Sequence, residues 1–292
     1  MAGSPMGQSK PDELRLLACQ PVIPTTPDAA ARDAHLAALC ARINAATEPG
    51  AQDIVVLPEL ASMEYSDEAF TRLDVLAEPL DGPSFQAFSK LARALGCPVV
   101  YGFARQTDEG VTICQAVVGA GGNLLGHYDK LHLAQFGASA EAAAFTPGDH
   151  LFSFSVKGLR LALLICYDIR FADLAQRLAA EGVDVVLQCS AYARDLSFHS
   201  WRPFVVTRAM ENGMAWLGLN RAGPGWGGSI WCPGHADSNH PEQVFAADEE
   251  FRLLFLPTDF RDGIARKLPF LKDRRNDYDM LPMIISGAET ET

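Results

Sequence analysis

Leu161-Ala-Leu-Leu-Ile-Cys166-Tyr-Asp-Ile-Arg-Phe171 is the stretch that decides the fold. An apolar run goes straight into a cysteine, and mixed polarity follows at once. A short continuous apolar run of this kind reads as a strand buried on both faces and ending at Cys166. Phe171, Leu174, Ala175 and Leu178 then recur at helical spacing, so a helix follows the strand. A side chain at a strand-to-helix turn stands at the sheet's edge beside free backbone N–H groups, which suits an activated nucleophile. The same stretch also fits one more buried structural thiol, since free cysteine is among the most buried residue types.

Outward from this stretch, strands and helices alternate. Leu14 to Cys19 reads as a first strand, residues 28–46 as an Ala-rich helix capped by Thr26 or Asp28, and Asp53-Ile-Val-Val-Leu57 as a buried strand stopped by Pro58. Residues 66–76 are a short acidic segment, and Gly82-Pro83 opens a helix running to Leu95. Strands follow at 97–104, 111–118 and 124–128, then a long connection over 129–150 that carries Lys130, Glu141 and Pro147-Gly148. Connections of that length without regular structure are uncommon and often functional. Lys157-Gly158 reads as the hairpin turn between strands 151–156 and 159–165. After the helix at 171–180 come a strand at 183–188, a helix at 198–210 and a strand at 214–219. A Gly/Pro-rich loop over 221–240, strands near Val244 and 251–256, and a helix at 259–267 complete the order. The expected class is α/β, with mixed sheets and helices on the outside. Residues 1–12 read as a disordered lead or tag remnant, 13–270 as a single domain, and 271–292 as a C-terminal tail.

The net charge of -12 argues against a surface that tracks nucleic-acid phosphates or anionic membranes, so neither is an expected partner. The seven cysteines are odd in number, lack CxxC spacing and mostly lie in apolar runs, which suits reduced thiols in a cytoplasmic protein. The N-terminal residues lack the apolar core of a secretory signal.

Three reactive residue types stand at or just after strand ends: Glu59, Lys130 and Cys166. Ligands bind at such ends in open α/β sheets. A cysteine can attack a carbonyl or nitrile carbon, and a glutamate can take its proton and return one to a leaving amine. A lysine ammonium can hold a developing oxyanion and favour the thiolate. Each charge taken singly also fits a solvated loop residue.

The wording around these three residues is more specific. Leu57-Pro-Glu59-Leu60, Tyr128-Asp-Lys130-Leu-His-Leu133 and Leu164-Ile-Cys166-Tyr-Asp-Ile-Arg-Phe171 resemble, in order and spacing, the three signatures of the nitrilase superfamily, the carbon–nitrogen hydrolases. Glu141-Ala-Ala-Ala-Phe-Thr-Pro-Gly148, Arg208-Ala-Met-Glu-Asn212, Asn220-Arg221 and Gly228-Ser-Ile230 resemble further landmarks of that family, so the likeness spans about Leu14 to Leu268. The resemblance implies an αββα sandwich, pairing as αββα–αββα in a homodimer or higher homo-oligomer. It implies a Glu59–Lys130–Cys166 triad acting through a thioester, with the Tyr167 N–H beside Lys130 at the oxyanion. Glu141 would position substrate or Lys130, and no cofactor or metal is implied. Tyr167-Asp168 after the cysteine resembles the amidase-type branches, omega-amidase and deaminated-glutathione amidase among them, and favours an amide over a nitrile. Ala172-Asp173, Glu64-Tyr65 and the segment from Ala134 depart from those branches and leave the substrate open. The alternatives are nitrile hydrolysis or acyl transfer on the same triad, or a non-hydrolytic binding or scaffold role.

Arg170 and Arg194 are candidates for a substrate carboxylate, against a structural ion-pair reading. Ser190, at the end of a strand, is a further candidate for substrate contact. Tyr65, Phe136, Trp201, Trp226 and Trp231 can line an apolar acyl pocket or pack as ordinary core. Cys232, His235 and His240 have metal-ligand types without an evident fourth ligand, and no metal is expected. His127 and His132 read as supporting or surface residues, and Asp168 as a brace for the turn.

Overall fold

In a computed structural model, which describes residues 12–136, 139–275 and 277–284, two six-stranded mixed sheets lie between outer helices. The first comprises β1 (Glu13–Gln20), β2 (Ile54–Val56), β3 (Val99–Thr107), β4 (Gly110–Val118), β5 (Leu124–Asp129) and β12 (Glu250–Pro257), in the order β12-β1-β2-β3-β4-β5. The second comprises β6 (Ser153–Val156), β7 (Leu159–Ile165), β8 (Val185–Cys189), β9 (Ala215–Leu219), β10 (Ile230–Pro233) and β11 (Gln243–Val244), in the order β11-β10-β9-β8-β7-β6. Each sheet has three parallel strands at its centre, β1-β2-β3 in one and β9-β8-β7 in the other, with antiparallel strands outside them. Parallel strands need covered faces on both sides, and the continuous apolar runs supply them.

Side chains alternate along each central strand. Leu14, Leu16 and Ala18 of β1, with Ile54 and Val56 of β2, face the second sheet and join its Leu161, Leu163 and Ile165 in one core. Leu17 and Cys19, with Val55 and Leu57, face outward onto Leu36, Leu39 and Ile43 of the helix Ala29–Ala46 and Phe88, Leu91 and Leu95 of the helix Pro83–Leu95. The helices Ala172–Ala180 and Trp201–Asn212 cover the far face of the second sheet through Ala175, Leu178, Val205 and Ala209. Of the two candidate caps for the first helix, Asp28 is the one that accepts the Ala31 N–H, at 2.8 Å. Pro83 at the start and Gly96 past the end, at φ 69°, bound the next helix as those residue types do elsewhere.

The acidic segment 66–76 contains two helical turns, Asp67–Phe70 and Leu73–Leu76. They form because Phe70, Leu73 and Leu76 dip into the core while the acidic residues face out. Within the long connection, Glu141–Ala144 makes another single turn. The lead of residues 1–11 and the tail's residues 276 and 285–292 lie outside the described residues. Among the described residues no helix is long and apolar enough to cross a membrane.

Candidate active site

The carboxyl ends of four central strands and of the edge strand β5 open toward one place. β2 runs into Glu59, β5 into Lys130, β7 into Cys166, β8 into Ser190 and Ala191, and β9 into Asn220 and Arg221. Two of these turns are strained. Leu60, next to Glu59, has φ 46°, and Cys166 itself has φ 42°, values that L-residues with side chains seldom adopt. The elbow after β2 passes directly over β3. A Cβ on Gly102 would lie 2.6 Å from the Leu60 nitrogen and the Pro58 oxygen, so only glycine fits there. The turn at Cys166 continues as a 3-10 helix, Cys166–Arg170. Asp168 braces it: its carboxylate accepts the Ile165 N–H at 3.0 Å, the Tyr128 hydroxyl at 2.7 Å and the His132 N–H at 3.1 Å. The Gln188 amide donates to the Cys166 carbonyl at 2.9 Å from the neighbouring strand.

Glu59, Lys130 and Glu141 have fully buried side chains. Lys130 Nζ donates to Glu59 Oε1 at 2.7 Å and to Glu141 Oε1 at 2.6 Å. An ammonium carries three protons, so one remains to meet a further acceptor. The second oxygen of Glu59 accepts the Ala191 N–H at 2.6 Å, across from the other sheet. Glu141 also accepts the Tyr65 hydroxyl at 2.6 Å on Oε1 and the Ala134 N–H at 2.7 Å on Oε2. Lys130 is held by its neighbours too. Its N–H donates to Ile113, and the preceding Asp129 is paired with Arg105 and Thr112.

Burial pushes the Glu59 carboxyl above its usual range; Lys130 and the Ala191 N–H pull it back, and Glu141 adds to the rise. Burial also opposes the Lys130 charge, but Glu141 and Glu59 outweigh it and hold its pKa well above the lysine range. The Cys166 thiol is pushed well up, by burial first and then by Glu59, with Lys130 too weak to reverse it. Lys130 does favour the thiolate, as the sequence suggests, but burial, Glu59 and Glu141 together outweigh it: two carboxylates face one ammonium, and a third negative charge is disfavoured. What the cluster can do is accept the thiol proton on Glu59 at the moment a bond to sulfur forms.

Beside Cys166 lies a cavity of about 40 Å³, lined by Tyr65, Phe136, Tyr167, Ala191 and Tyr192 among others. It adjoins a wider vestibule of about 460 Å³, lined by Phe136, Tyr167, Arg170, Leu196, Ser197 and His199. Arg170 stands in that vestibule, its guanidinium 5.2 Å from the Phe136 ring centroid and donating to the Tyr192 hydroxyl at 3.0 Å. Ser190 is buried behind Ala191, with no partner for its hydroxyl among the described residues.

Other expected residues are elsewhere. Arg194 is turned away from the cavity: it stacks on Phe198 at 4.4 Å, donates to the Trp226 carbonyl and is exposed. Trp201 and Trp231 are core residues, not pocket lining, because their helix and strand turn them inward; Trp201 donates to the Gly228 carbonyl at 2.7 Å. Trp226 reaches only the back of Tyr65, 5.9 Å between ring centroids. His127 packs against His150, and His132 bridges to Asp168 at 2.8 Å while stacking on Phe171. Cys232 is buried in β10, and His240 pairs with Asp237; no metal-binding group of three such side chains forms among the described residues.

Three participants were not legible as site residues: the Ala191 N–H, Tyr192 and Arg221. A backbone N–H has no sequence signal. Arg221 had one, in the Asn220-Arg221 pair that resembles a family landmark, but that pair carried no role at the site.

Residues 16–246 match the family model described as carbon-nitrogen hydrolase. An (R)-stereoselective amidase from Pseudomonas sp is 31% identical over 251 residues, covering 84% of this chain and 85% of the relative. The human omega-amidase NIT2 is 28% identical over 255 residues, covering 84% and 90%. Among solved structures, Saccharomyces cerevisiae Nit3, a member of branch 10 of the nitrilase superfamily, superposes with a TM-score of 0.77 at 22% identity, covering 90% of this chain and 97% of that one. A cysteine-to-alanine mutant of an amidase from Nesterenkonia AN1 gives 0.73 at 24% identity, covering 91% and 96%.

Proposed function

Because the chain belongs to the carbon–nitrogen hydrolase family, with amidases among its relatives, we propose that it hydrolyses a small carboxamide to a carboxylate and ammonia on Glu59, Lys130 and Cys166. Cys166 Sγ attacks the amide carbon while Glu59 takes the thiol proton. The carbonyl oxygen becomes an oxyanion, held by the free proton of Lys130 and by the Tyr167 N–H. Collapse expels ammonia, which leaves with the proton from Glu59, and a thioester remains. Water then gives its proton to Glu59 and adds to the thioester; collapse returns the proton to sulfur and releases the carboxylate. Glu141 holds Lys130 between the two carboxylates throughout.

The observation that carries this reading is the buried Glu59–Lys130–Glu141 cluster, with contacts of 2.7 and 2.6 Å, at the strand end beside Cys166. The small cavity limits what can react there. Pockets that swallow whole ligands run to roughly 300–1,000 Å³. Here the inner 40 Å³ takes the reacting amide group, and the rest of the substrate lies in the vestibule, where Arg170 can pair with a carboxylate. The domain is taken to run over 13–270. The enzyme is proposed to work as a homodimer in the cytoplasm, where its thiols stay reduced; size-exclusion chromatography with light scattering tests the dimer.

The test is ammonia release over short aliphatic, aromatic and dicarboxylic monoamides, with the matching nitriles. Turnover of amides is expected, abolished in Cys166→Ala with the circular dichroism unchanged. Nitrile-only turnover, or undiminished release by that variant, would overturn the assignment. Hydroxylamine added to the assay traps a transferable acyl group and reports on acyl transfer.

A further inference from the structure

Arg221 is a buried guanidinium, 2% exposed, placed directly behind the Glu59 elbow. Its Nη2 donates to three carbonyls of that elbow: Glu59 at 2.9 Å, Leu60 at 3.2 Å and Met63 at 3.4 Å. Its own position is fixed by Asn220, whose amide donates to the Tyr192 and Gly227 carbonyls and whose oxygen accepts the Tyr192 and Arg221 N–H groups. The guanidinium lies 5.9 Å from the Tyr65 ring centroid and 5.3 Å from that of Trp226. It therefore backs both the residue carrying the candidate base and the tyrosine that donates to Glu141. Its Nε is buried and finds no partner among the described residues. A cation left part-satisfied in a dry interior is costly, and among the described residues no carboxylate forms an ion pair with it.

The charges around the site point the same way. Glu59 and Glu141 are two carboxylates facing one ammonium. Facing Glu59 are Lys130, Glu141, Tyr65, Cys166, Cys189 and Arg221, and only Lys130 and Arg221 among them are cations. Facing Arg221 in turn are Glu59, Tyr65, Cys166, Glu64 and the buried His35. His35 adds no donor to Glu59; its Nε2 contacts the Ala61 carbonyl at 2.9 Å, further along the same elbow.

We propose that Arg221 is a positioning residue for Glu59: it fixes the strained elbow through three carbonyls and supplies the second cation that offsets the site's two carboxylates. This rests on the reading of Glu59 as the base. The charge of Arg221 keeps Glu59 anionic at lower pH than burial would otherwise allow, and the three carbonyls gathered on its Nη2 hold the elbow that aims the carboxylate.

The test compares the unaltered enzyme with Arg221→Met and Arg221→Lys. The rate of Cys166 alkylation by iodoacetamide, read by peptide mass spectrometry from about pH 4 to 9, follows the Glu59-assisted thiol without needing turnover. In Arg221→Met the acid limb of that profile is expected to move upward by about one pH unit, because a cation facing the carboxylate is gone. In Arg221→Lys the charge stays, so the limb holds its place; the plateau rate and kcat fall about tenfold, with KM within about twofold, because the shorter, flexible lysine stem does not hold its nitrogen where Nη2 gathers the three carbonyls. An unmoved limb in the Met variant overturns the electrostatic part, and an unaltered plateau in the Lys variant overturns the positioning part. If Arg221→Met does not fold, Arg221→Lys decides alone: an unaltered plateau or a shifted limb refutes the proposal. If the unaltered enzyme releases no ammonia from any amide, the hydrolase reading fails, while the alkylation profiles still report on Arg221.

Discussion

Tyr65→Phe removes one oxygen from the site and leaves the ring where it is, edge-on to Phe70 at 5.1 Å and to Trp226 at 5.9 Å. The lost hydroxyl donates to Glu141 Oε1 at 2.6 Å and shares a 2.6 Å contact with the Ser139 hydroxyl. A hydrogen bond to a charged group contributes about 1.5–3 kcal/mol. Glu141 keeps Lys130 on one oxygen and the Ala134 N–H on the other, and Ser139 keeps the Ala134 carbonyl at 3.2 Å, so the lower end of that range applies. The consequence for chemistry follows from which acceptor weakens. Without the tyrosine proton Glu141 becomes the stronger acceptor, draws Lys130 toward itself, and leaves less of the ammonium for a developing oxyanion. About 1.4 kcal/mol of that lost stabilisation is tenfold in rate, so kcat is expected to fall about tenfold with KM little changed. The same loss lowers the melting temperature by a few degrees, at ~2–4 °C per kcal/mol for chains somewhat shorter than this one. Steady-state ammonia release and thermal unfolding on the same preparation give both numbers. A lowered melting point with unaltered kcat would refute the chain of reasoning from Tyr65 through Glu141 to Lys130. A rise in KM alone would mean that Tyr65 meets the substrate instead.

Glu59→Gln keeps the shape and removes the proposed base; kcat is expected to drop by about 10²–10⁴-fold, measured by ammonia release, and an active variant would reassign the proton acceptor. The raised Glu59 carboxyl also sets a direction for pH: activity is lost as pH falls through a value above the usual glutamate range, and a kcat/KM profile whose acid limb sits at or below that range would contradict it. Gly102→Ala forces a Cβ to 2.6 Å from backbone on the Glu59 elbow, so overpacking of about 1–3 kcal/mol and a lower kcat are expected together in urea unfolding and activity assays. Burial raises the Asp129 carboxyl, but bonds from Arg105 and Thr112 outweigh it and hold it below its usual range. That stabilisation is present above about pH 4 and lost as pH falls through the folded value, so Arg105→Met should cost about 3 kcal/mol near neutrality and progressively less in acid. Urea unfolding at both pH values checks this; a gap that does not change with pH would count against it.

How far the sequence could be read depended on what each residue does. Glu59, Lys130 and Cys166 were legible because reactive side chains at the ends of apolar runs are placed by the strands themselves, and the sheet brings strand ends together. The inward and outward alternation of β1 and β2 was legible only as continuous hydrophobicity, since burial on both faces hides the period. Residues 66–76 looked merely acidic, because the three side chains that bury them are too few to show a helical period. Arg194 and Trp201 carry the right chemistry for a pocket, but only the path of the chain tells which way they point. The protonation of Cys166 was out of reach for a different reason: it depends on charges from several elements, and their sum exists only after folding. The same holds for the Ala191 N–H, a group every non-proline residue carries.

The bond between Glu59 and the Ala191 N–H joins residues 132 positions apart and spans the seam between the two sheets. Glu59 and Lys130 ride on one sheet, Cys166 on the other, so neither half of the sandwich holds all three proposed catalytic residues. Loss of activity on heating should therefore coincide with the sheets parting, rather than precede it as fraying of a loop would. The enzyme's turnover becomes a gauge of its own architecture: a mutation that lets the sheets slip, however far from Cys166, will be read first as a catalytic defect.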